Sequence, residues 1–245
     1  MALTPLIASL IHCLVILLVG ILPLTWRMQG QVYDALLSFG AGVLLSAAFL
    51  HMLPAAIPSL GEMSGLFLLA GYLLMTLLER FTMAHPCSED SCPNHRLGFT
   101  ALLGLSVHSV IAGMALGVGL LDAKDLSVSV ALLAAILVHK VPETLALMGL
   151  LAASGWDRRR ILFSLFFFSG MGPLGILLGT FTEIQSPWFL SAAMAISAGT
   201  FLYIASSDLL PQLHKKMKQE WIHFFAFLLG LTLLSFESWH RLAGH

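Results

Sequence analysis

The chain has 245 residues, of which 58% are hydrophobic and 10% are charged, and its formal net charge is −1. A soluble domain of this length could not bury so much apolar surface, because the buried fraction grows only slowly with chain length. The composition therefore excludes a soluble globular protein and predicts an all-α protein that crosses a membrane many times.

Eight nearly uncharged runs of about 20 residues follow one another, and each is long enough to cross a bilayer as a helix. The third and eighth are the weakest, because acidic residues shorten their uncharged part. The first lacks the basic start of a signal peptide, so we keep it as a span. The predicted spans are 2–24, 33–56, 63–83, 98–121, 127–153, 161–182, 187–208 and 221–238.

The second span contains the sequence AGVLLSAAFLHMLP, with His51 three residues before Pro54. The seventh contains a matching sequence, AGTFLYIASSDLLP, with Asp208 at the position of His51. Because consecutive spans alternate in direction, the two units run in opposite directions. Such inverted repeats are typical of transporters that bind their cargo near the midplane. We predict three helices, a central pair and three more helices, the alternative being chance recurrence of Ala-Gly and Leu-Pro.

The loop between the third and fourth spans, residues 84–97, reads HPCSEDSCPNHR over most of its length. His85, Cys87, Cys92 and His95 offer two sulfur and two nitrogen ligands of the kind that zinc accepts. The cysteine spacing is wide and the loop is short, so a solvated linker is the alternative interpretation.

The fourth and fifth spans carry the ionisable groups that lie deepest in the predicted membrane. His108 is about ten residues into the fourth span, and His139 is about twelve residues into the fifth. Since these spans are antiparallel, both histidines reach the bilayer centre. Glu143 is four residues after His139 and shares its helix face. Two imidazoles and one carboxylate at one depth suit a divalent transition metal such as zinc.

Lys140 and Glu143 are the only formally charged residues deep in any span. An ionisable group in hydrocarbon costs several kcal/mol, so it indicates a functional site by default. Two structural alternatives stay open. A Lys140–Glu143 ion pair at i, i+3 could simply hold helices together, and His108 could be an ordinary interhelical hydrogen-bond partner.

Small residues predict close helix packing around these groups. Gly113 and Gly117 in the fourth span have GxxxG spacing, as do Gly175 and Gly179 in the sixth. Such spacing lets helix backbones approach closely.

The basic residues predict the orientation, because cytosolic loops are enriched in Lys and Arg. With eight spans, both termini share a side with Lys124 and Arg241, and we expect that side to face outward. The expected cytosolic side carries nine basic residues: Arg27, Arg80, Arg96, Arg158, Arg159, Arg160, Lys215, Lys216 and Lys218.

Four sequences, HMLP, HSVIAGMALG, HKVPETLAL and AGTFLYIASSDLLP, fall in the order and on the spans where the ZIP (Zrt-, Irt-like) divalent-metal transporters have their motifs. The chain resembles this family over essentially its whole length. The resemblance implies a single transporter domain, residues 1–245, with the eight-helix, both-ends-out topology. It also implies uptake of zinc, iron or manganese toward the cytosol.

By the same resemblance, His108, His139 and Glu143 match the positions that hold metal between the fourth and fifth helices. Family members often hold two metals, and here the sequence departs. Ala112 stands where the fourth helix usually has a carboxylate, and Lys140 stands where an acidic or amide residue is common. Our hypothesis is that Lys140 replaces the second metal electrostatically. His51 and Asp208 would lie on the metal pathway, or would only cap helices at the interface.

Two functions from different classes are therefore compared. The first is a secondary transporter in the plasma (inner) membrane, with Zn²⁺ as substrate and Fe²⁺ or Mn²⁺ as alternatives. The second is an intramembrane metal-dependent hydrolase that uses the same two histidines and glutamate, although the chain has no HExxH sequence. Divalent metal ions and membrane lipids are the expected partners, without nucleic acid, ATP or an organic cofactor. A homodimer is compatible with the sequence.

Overall fold

A computed structural model describes residues 3–25, 31–82, 92–181 and 186–243, and in these ranges the chain is helical apart from short turns. The α-helices are α1 (Pro5–Thr25), α2 (Gln31–Ser46), α3 (Leu53–Leu60), α4 (Met63–Thr82), α5 (Cys92–Asp122), α6 (Leu126–Ala153), α7 (Arg158–Phe181), α8 (Pro187–Tyr203), α9 (Leu210–Gln219) and α10 (Trp221–Ala243). Two π-helical stretches join α2 to α3 and α8 to α9.

The helices confirm the prediction of an all-α membrane protein that crosses the bilayer many times. Within the described residues, seven helical segments are long and apolar enough to span a membrane, and an eighth apolar helix starts at Trp221. Large apolar side chains such as Phe81 and Phe163 are three-quarters exposed on the outside of the bundle. Such exposure suits hydrocarbon as the surrounding solvent. The chain is an integral, multi-pass membrane protein.

The two matching sequence units fold alike. In the first unit, residues Ala47–Met52 form a π-helical stretch, the first π segment. In the second unit, residues Ile204–Leu209 form the second π segment at the same position. His51 lies in the first segment and Asp208 in the second. A π-bulge inserts an extra residue in a helical turn and is frequently found at functional sites.

Contacts between helices show that the two units run in opposite directions. Helix α2 is antiparallel to α6, α6 is antiparallel to α5, and α5 is antiparallel to α8. Hence α2 and α8 are antiparallel, as an inverted repeat requires. The contacts that establish these directions are Gly40 with Ala146 and Gly149 with Leu37 (α2 and α6), Gly98 with Leu151 and Gly119 with Leu132 (α5 and α6), and His108 with Ser197 and Gly104 with Ile204 (α5 and α8).

The repeat extends to the packing partners of each unit. Gly42 of α2 lies directly against the backbone of α10 at Phe227. Its counterpart in the second unit, Gly199 of α8, lies against the backbone of α4 at Leu68. The second helix of each three-helix repeat thus packs, through this glycine, on the third helix of the other repeat: α2 on α10 and α8 on α4. The two repeats therefore interlock.

The predicted glycine contacts are confirmed for the fourth and sixth spans, α5 and α7. Gly113 lies against the carbonyl of Gly172, and Gly117 lies against that of Ile176. From the other side, Gly175 approaches the carbonyl of Val110, and Gly179 does the same with Met114. Because no Cβ separates the two backbones, α5 is held firmly on α7, with His108 positioned between α6 and α8.

Two helices differ from the predicted bounds. Helix α5 begins at Cys92, so residues 92–97 of the predicted loop 84–97 are helical. The seventh span continues beyond residue 208 as α9, to Gln219. Helix α9 is amphipathic, with Leu213 buried and His214 exposed, and it therefore suits a membrane surface better than the bilayer core.

Helix α6, which carries three of the predicted site residues, has a well-defined start. Asp125 is its N-cap, and the Asp125 carboxylate accepts hydrogen bonds from Ser127 Oγ at 2.6 Å and from the Val128 N–H at 3.0 Å. These two hydrogen bonds hold the pKa of the Asp125 carboxyl below its ordinary value. The cap fixes the register at which α6 enters the bundle.

Candidate metal centre

The structure brings together the three residues that the sequence predicted as metal ligands. One ligand atom from each of His108, His139 and Glu143 can be chosen so that the three lie within 4.8 Å of one another. His108 comes from α5, and the other two lie one turn apart on α6. All three side chains are buried. The antiparallel pair α5 and α6 therefore places two imidazoles and a carboxylate at the same depth.

A serine from the second repeat unit orients His108. The His108 Nδ1 atom lies 2.9 Å from Ser197 Oγ, on α8. When Nδ1–H donates to this hydroxyl, Nε2 carries the lone pair and faces Glu143. The ring of Phe201, also on α8, packs against His108 with a centroid separation of 4.7 Å.

A backbone carbonyl orients His139. Its Nδ1–H donates to the Ala135 carbonyl oxygen at 3.1 Å, one turn earlier on α6. The Nε2 atom is then the acceptor and makes no hydrogen bond within the described structure. A hydrogen bond at one ring nitrogen leaves the other free to bind a metal, and such bonds fix the tautomer of ligating histidines.

The carboxylate of Glu143 faces two different partners. Its Oε2 accepts a hydrogen bond from Lys140 Nζ at 2.6 Å. Its Oε1 lies 3.2 Å from His108 Nε2, but the two atoms are not aligned for a hydrogen bond. With Nδ1 protonated, both atoms are acceptors. Two buried acceptors that face each other at this distance favour a cation between them.

Three acceptor atoms, His108 Nε2, His139 Nε2 and Glu143 Oε1, are thus buried without a hydrogen-bond partner in the described part of the chain. An unsatisfied buried polar atom is costly, and three that converge on one point are rare in native structures. Two nitrogens and one oxygen match the donor set that Zn²⁺ accepts, with a fourth position left for water or another ligand. The donor set also suits Fe²⁺ and Mn²⁺.

Lys140 is entirely buried beside the three ligand atoms. Thr144 Oγ1 donates to the Lys140 carbonyl at 2.7 Å, so the lysine and glutamate belong to a hydrogen-bonded stretch of α6. The ion pair between Lys140 and Glu143, predicted from their i, i+3 spacing, is present. It offsets part of the desolvation cost of both charges, and breaking such a pair is strongly destabilising.

The remaining predicted residues fall in different places. The His51 ring stacks at a tilt on His139, with a centroid separation of 5.1 Å, so it adjoins the site directly. For Asp208, only the backbone in the second π segment is described. His85 and Cys87 lie outside the described residues. Cys92 and His95 lie in the first turn of α5, and their side chains also lie outside the description.

The sequence reasoning missed Ser197 and Phe201, which position His108. Neither residue type is unusual in an apolar helix, so no sequence signal marked them. His12 is a packing residue in the structure. Its imidazole occupies the space that a side chain at Gly172 would fill, and it holds α1 on α7.

Comparison with known proteins identifies the family. Residues 84–237, well over half of the chain, match the family model described as ZIP zinc transporter. The chain belongs to the ZIP family. The resemblance noted from the four sequence motifs is therefore confirmed, and the three converging ligand residues all lie in the part of the chain that matches the ZIP model.

Individual ZIP relatives cover different shares of the chain. Zinc transporter ZIP9 of Xenopus tropicalis is 31% identical over 158 residues, which are 60% of this chain and 52% of that protein. Fe(2+) transport protein 1 of Arabidopsis thaliana is 26% identical over 259 aligned positions, covering 82% of this chain and 74% of that protein. Zinc transporter ZIP1 of Danio rerio is 30% identical over 141 residues, 56% of this chain and 45% of that protein. The chain spans about half the length of its ZIP9 and ZIP1 relatives.

Proposed function

We propose that this ZIP chain is a secondary transporter that moves divalent metal ions across the membrane toward the cytosol. Zinc is the main substrate in this proposal, and Fe²⁺ or Mn²⁺ are the alternatives. The single observation that carries the proposal is the buried cluster of His108, His139 and Glu143, whose ligand atoms lie within 4.8 Å of one another. Each of the three side chains also has one polar atom without a hydrogen-bond partner in the described structure. The names of the ZIP relatives, zinc and Fe(2+) transporters, agree with it.

The chemistry of the site explains how a dehydrated ion could reside there. A divalent cation that leaves water loses its hydration shell, and in hydrocarbon nothing replaces it. Neutral imidazole nitrogens and an ionised carboxylate supply that coordination, and they must be deprotonated to do so. Since one coordination position stays open, the ion can exchange ligands on entry and exit. The inverted repeat around the site supplies two related halves that can move against each other.

We propose the whole chain, residues 1–245, as one transporter domain driven by ion gradients, because the sequence contains no nucleotide-binding motif. No enzymatic role is proposed. Neither the site nor the comparisons support the hydrolase alternative. Glu143, which would have to act as general base, has one oxygen held by Lys140 and the other directed at the metal position.

The orientation is part of the proposal. We place the protein in the plasma (inner) membrane, with both termini outside and the short 84–97 connection in the cytosol, from the nine-to-two distribution of basic residues. His51, which adjoins His139, and Asp208, at the matching position of the opposite repeat, are proposed pathway residues on either side of the metal. We propose no metal site at His85, Cys87, Cys92 and His95.

The transport proposal is tested by zinc influx into liposomes that contain the purified protein and a fluorescent zinc indicator. Wild-type protein is expected to give influx above protein-free vesicles. His108→Ala and Glu143→Gln are each expected to reduce it to the protein-free level, because each removes one of three ligands. Ser109→Ala is the matched control, since it removes a buried hydroxyl that has no hydrogen-bond partner among the described residues, one residue after His108. Absence of wild-type influx, or full activity in either ligand variant, would overturn the proposal.

We further propose that the site holds one metal ion, with Lys140 in place of a second. The ammonium lies 2.6 Å from Glu143 Oε2, so it already occupies the carboxylate oxygen that a second metal would need. It neutralises the carboxylate before metal arrives and reduces the net attraction for a cation, which favours release.

Zinc titration of purified protein tests the one-metal proposal. One tightly bound zinc per chain is expected, measured by elemental analysis after gel filtration, and two would contradict the proposal.

Lys140→Met leaves Glu143 as an unpaired buried charge. The metal-free form of this variant should therefore lose roughly 3–5 kcal/mol of stability, as found when buried ion pairs are broken. Bound zinc should restore most of that loss, measured as a larger zinc-dependent rise in Tm than wild type shows.

A further inference from the structure

A cavity lies at the end of the bundle where α9 meets α10, far along the chain from the metal ligands. Its volume is about 370 Å³. The lining combines four apolar side chains with a histidine and a lysine: Leu210, His214, Met217, Lys218, Phe224 and Phe227. A cavity of this size holds one small amphiphile or part of a larger one.

The spacing of the residues explains why the cavity has two chemical halves. Leu210, His214, Met217 and Lys218 follow at intervals of four, three and one, so they share a face of α9. Leu213, three residues after Leu210 and four before Met217, lies beside them on α9 and is buried. Phe224 and Phe227 are one turn apart at the start of α10 and form the apolar wall. The polar groups, the His214 imidazole and the Lys218 ammonium, lie at the rim, where both side chains are exposed.

The Lys218 ammonium at the rim of the cavity is available to a ligand. Among the residues that the structure describes, Lys218 has no acidic side chain within ion-pair distance. Glu220, the nearest acidic residue in the sequence, faces elsewhere: its carboxylate accepts from Gln31 Nε2 at 3.1 Å and lies 3.3 Å from His223 Nε2. An anion at the rim would therefore meet Lys218 and His214 without competition from Glu220.

The cavity lies at the depth of a membrane–water interface. Trp221, in the first turn of α10, is 74% exposed, and aromatic residues of this kind mark the headgroup level. This end of the bundle also carries Lys215, Lys216 and most of the other basic loop residues. Leaflets that face basic loops are rich in anionic lipid, and basic pockets there bind acidic headgroups.

We propose that this cavity is a binding site for one anionic phospholipid. The headgroup phosphate lies on Lys218 and His214, and an acyl chain lies over Phe224 and Phe227. A lipid fits better than free phosphate, because four of the six lining residues are apolar. The proposal uses the orientation given above but not the metal site, so it goes beyond transport and can fail independently of it.

Native mass spectrometry of the purified full chain in detergent tests the proposal. The protein is titrated with phosphatidylglycerol and, separately, with phosphatidylcholine that has the same acyl chains. One phosphatidylglycerol per chain is expected to survive activation, with at least about fivefold preference over phosphatidylcholine, since a basic residue near the surface contributes about 1 kcal/mol. Lys218→Glu is expected to abolish that preference. Arg158→Glu, an exposed basic residue on α7, is the matched charge-reversal control and should leave it unchanged.

Three results would overturn the proposal. Equal retention of the two lipids would show that the headgroup is not recognised. Displacement of phosphatidylglycerol by excess inorganic phosphate would indicate a simple anion site. An equal loss of the preference for phosphatidylglycerol in Lys218→Glu and Arg158→Glu would show that the net charge of the protein, and not the cavity, determines lipid binding. Because the readout is lipid binding, loss of zinc transport in any variant has no effect on the conclusion.

Discussion

At the scale of single residues, two hydrogen bonds decide what the site can bind. Ser197 holds Nδ1 of His108, and the Ala135 carbonyl holds Nδ1 of His139, so the Nε2 atom of each ring is left without a hydrogen bond in the described structure. A free imidazole would sample both tautomers and several ring orientations. Here the rings are fixed before any ion arrives, which lowers the entropic cost of coordination.

Ser197→Ala tests this orientation. The variant keeps all three proposed ligands but removes the partner of His108 Nδ1, so the ring can rotate and change tautomer. We expect zinc affinity to fall by roughly 10–100-fold, the usual effect of losing a hydrogen-bond partner of a ligand. The measurement is competition for zinc against an indicator of known affinity. Ser106→Ala is the control, because its buried hydroxyl makes no hydrogen bond in the described structure. Equal affinities in the two variants would contradict the role of Ser197.

At the scale of helices, backbone contact at glycines sets the distance between the elements that carry the site. Helix α5 bears His108, and it lies on α7 through Gly113 and Gly117 from one side and Gly175 and Gly179 from the other. Since α5 cannot move toward or away from α7 without losing these contacts, the depth and rotation of His108 depend on them. The two π segments act at the same scale, because each changes the rotation, about its helix, of the position three residues before the proline, which is His51 in one unit and Asp208 in the other.

Gly175→Ala should therefore be harmful although alanine is the better helix former. Its Cβ would overlap the Val110 carbonyl oxygen, which is backbone and cannot rotate away. We expect a loss of roughly 1–3 kcal/mol in stability, typical of overpacking, together with reduced zinc influx. Thermal unfolding in detergent and the liposome assay measure the two effects.

Gly170→Ala on the same helix is the matched control. Its Cβ would meet no atom within 4 Å, so only the helix propensity changes. The control should be neutral or more stable by up to about 1 kcal/mol. If both alanine variants behave alike, close packing of α5 on α7 is not what positions His108.

At the scale of the whole molecule, the inverted repeat is symmetric across the membrane, whereas the distribution of basic residues is not. The repeat gives two halves of opposite orientation, and each half packs its second helix on the third helix of the other. The loops do not share this symmetry, since the proposed topology puts nine basic residues on one side. In the proposed orientation that side faces the cytosol.

Cysteine labelling tests the proposed orientation. Single cysteines are introduced as Lys124→Cys or Arg159→Cys in a chain whose Cys13, Cys87 and Cys92 are replaced by serine. A membrane-impermeant maleimide should label position 124 in intact cells, and position 159 only after lysis. The reverse pattern would invert the proposed topology. Zinc influx of the cysteine-free parent verifies that the background is functional.

Much of this protein can be derived from its sequence, because membrane helices are determined locally. With no water in the bilayer core, each apolar run must satisfy its own backbone hydrogen bonds, so each predicted run becomes helical without reference to its neighbours. Among the described residues, seven of these helices are long enough to cross a membrane and the eighth is shorter. His139 and Glu143 could be placed together for the same reason, since four residues along a helix return to the same face. The opposite directions of the two repeat units followed from counting spans.

The tertiary structure alone decided which helices meet and at what rotation. Ser197 lies 89 residues from His108 in the chain, and no period in the sequence connects them. The contact of His51 with His139 depends on the rotation of the first π segment relative to α6, and the cavity of α9 and α10 depends on the helix continuing past the predicted end of the span. Packing between helices distant in sequence decides these features, because many apolar surfaces could pair and only close backbone contact selects one arrangement.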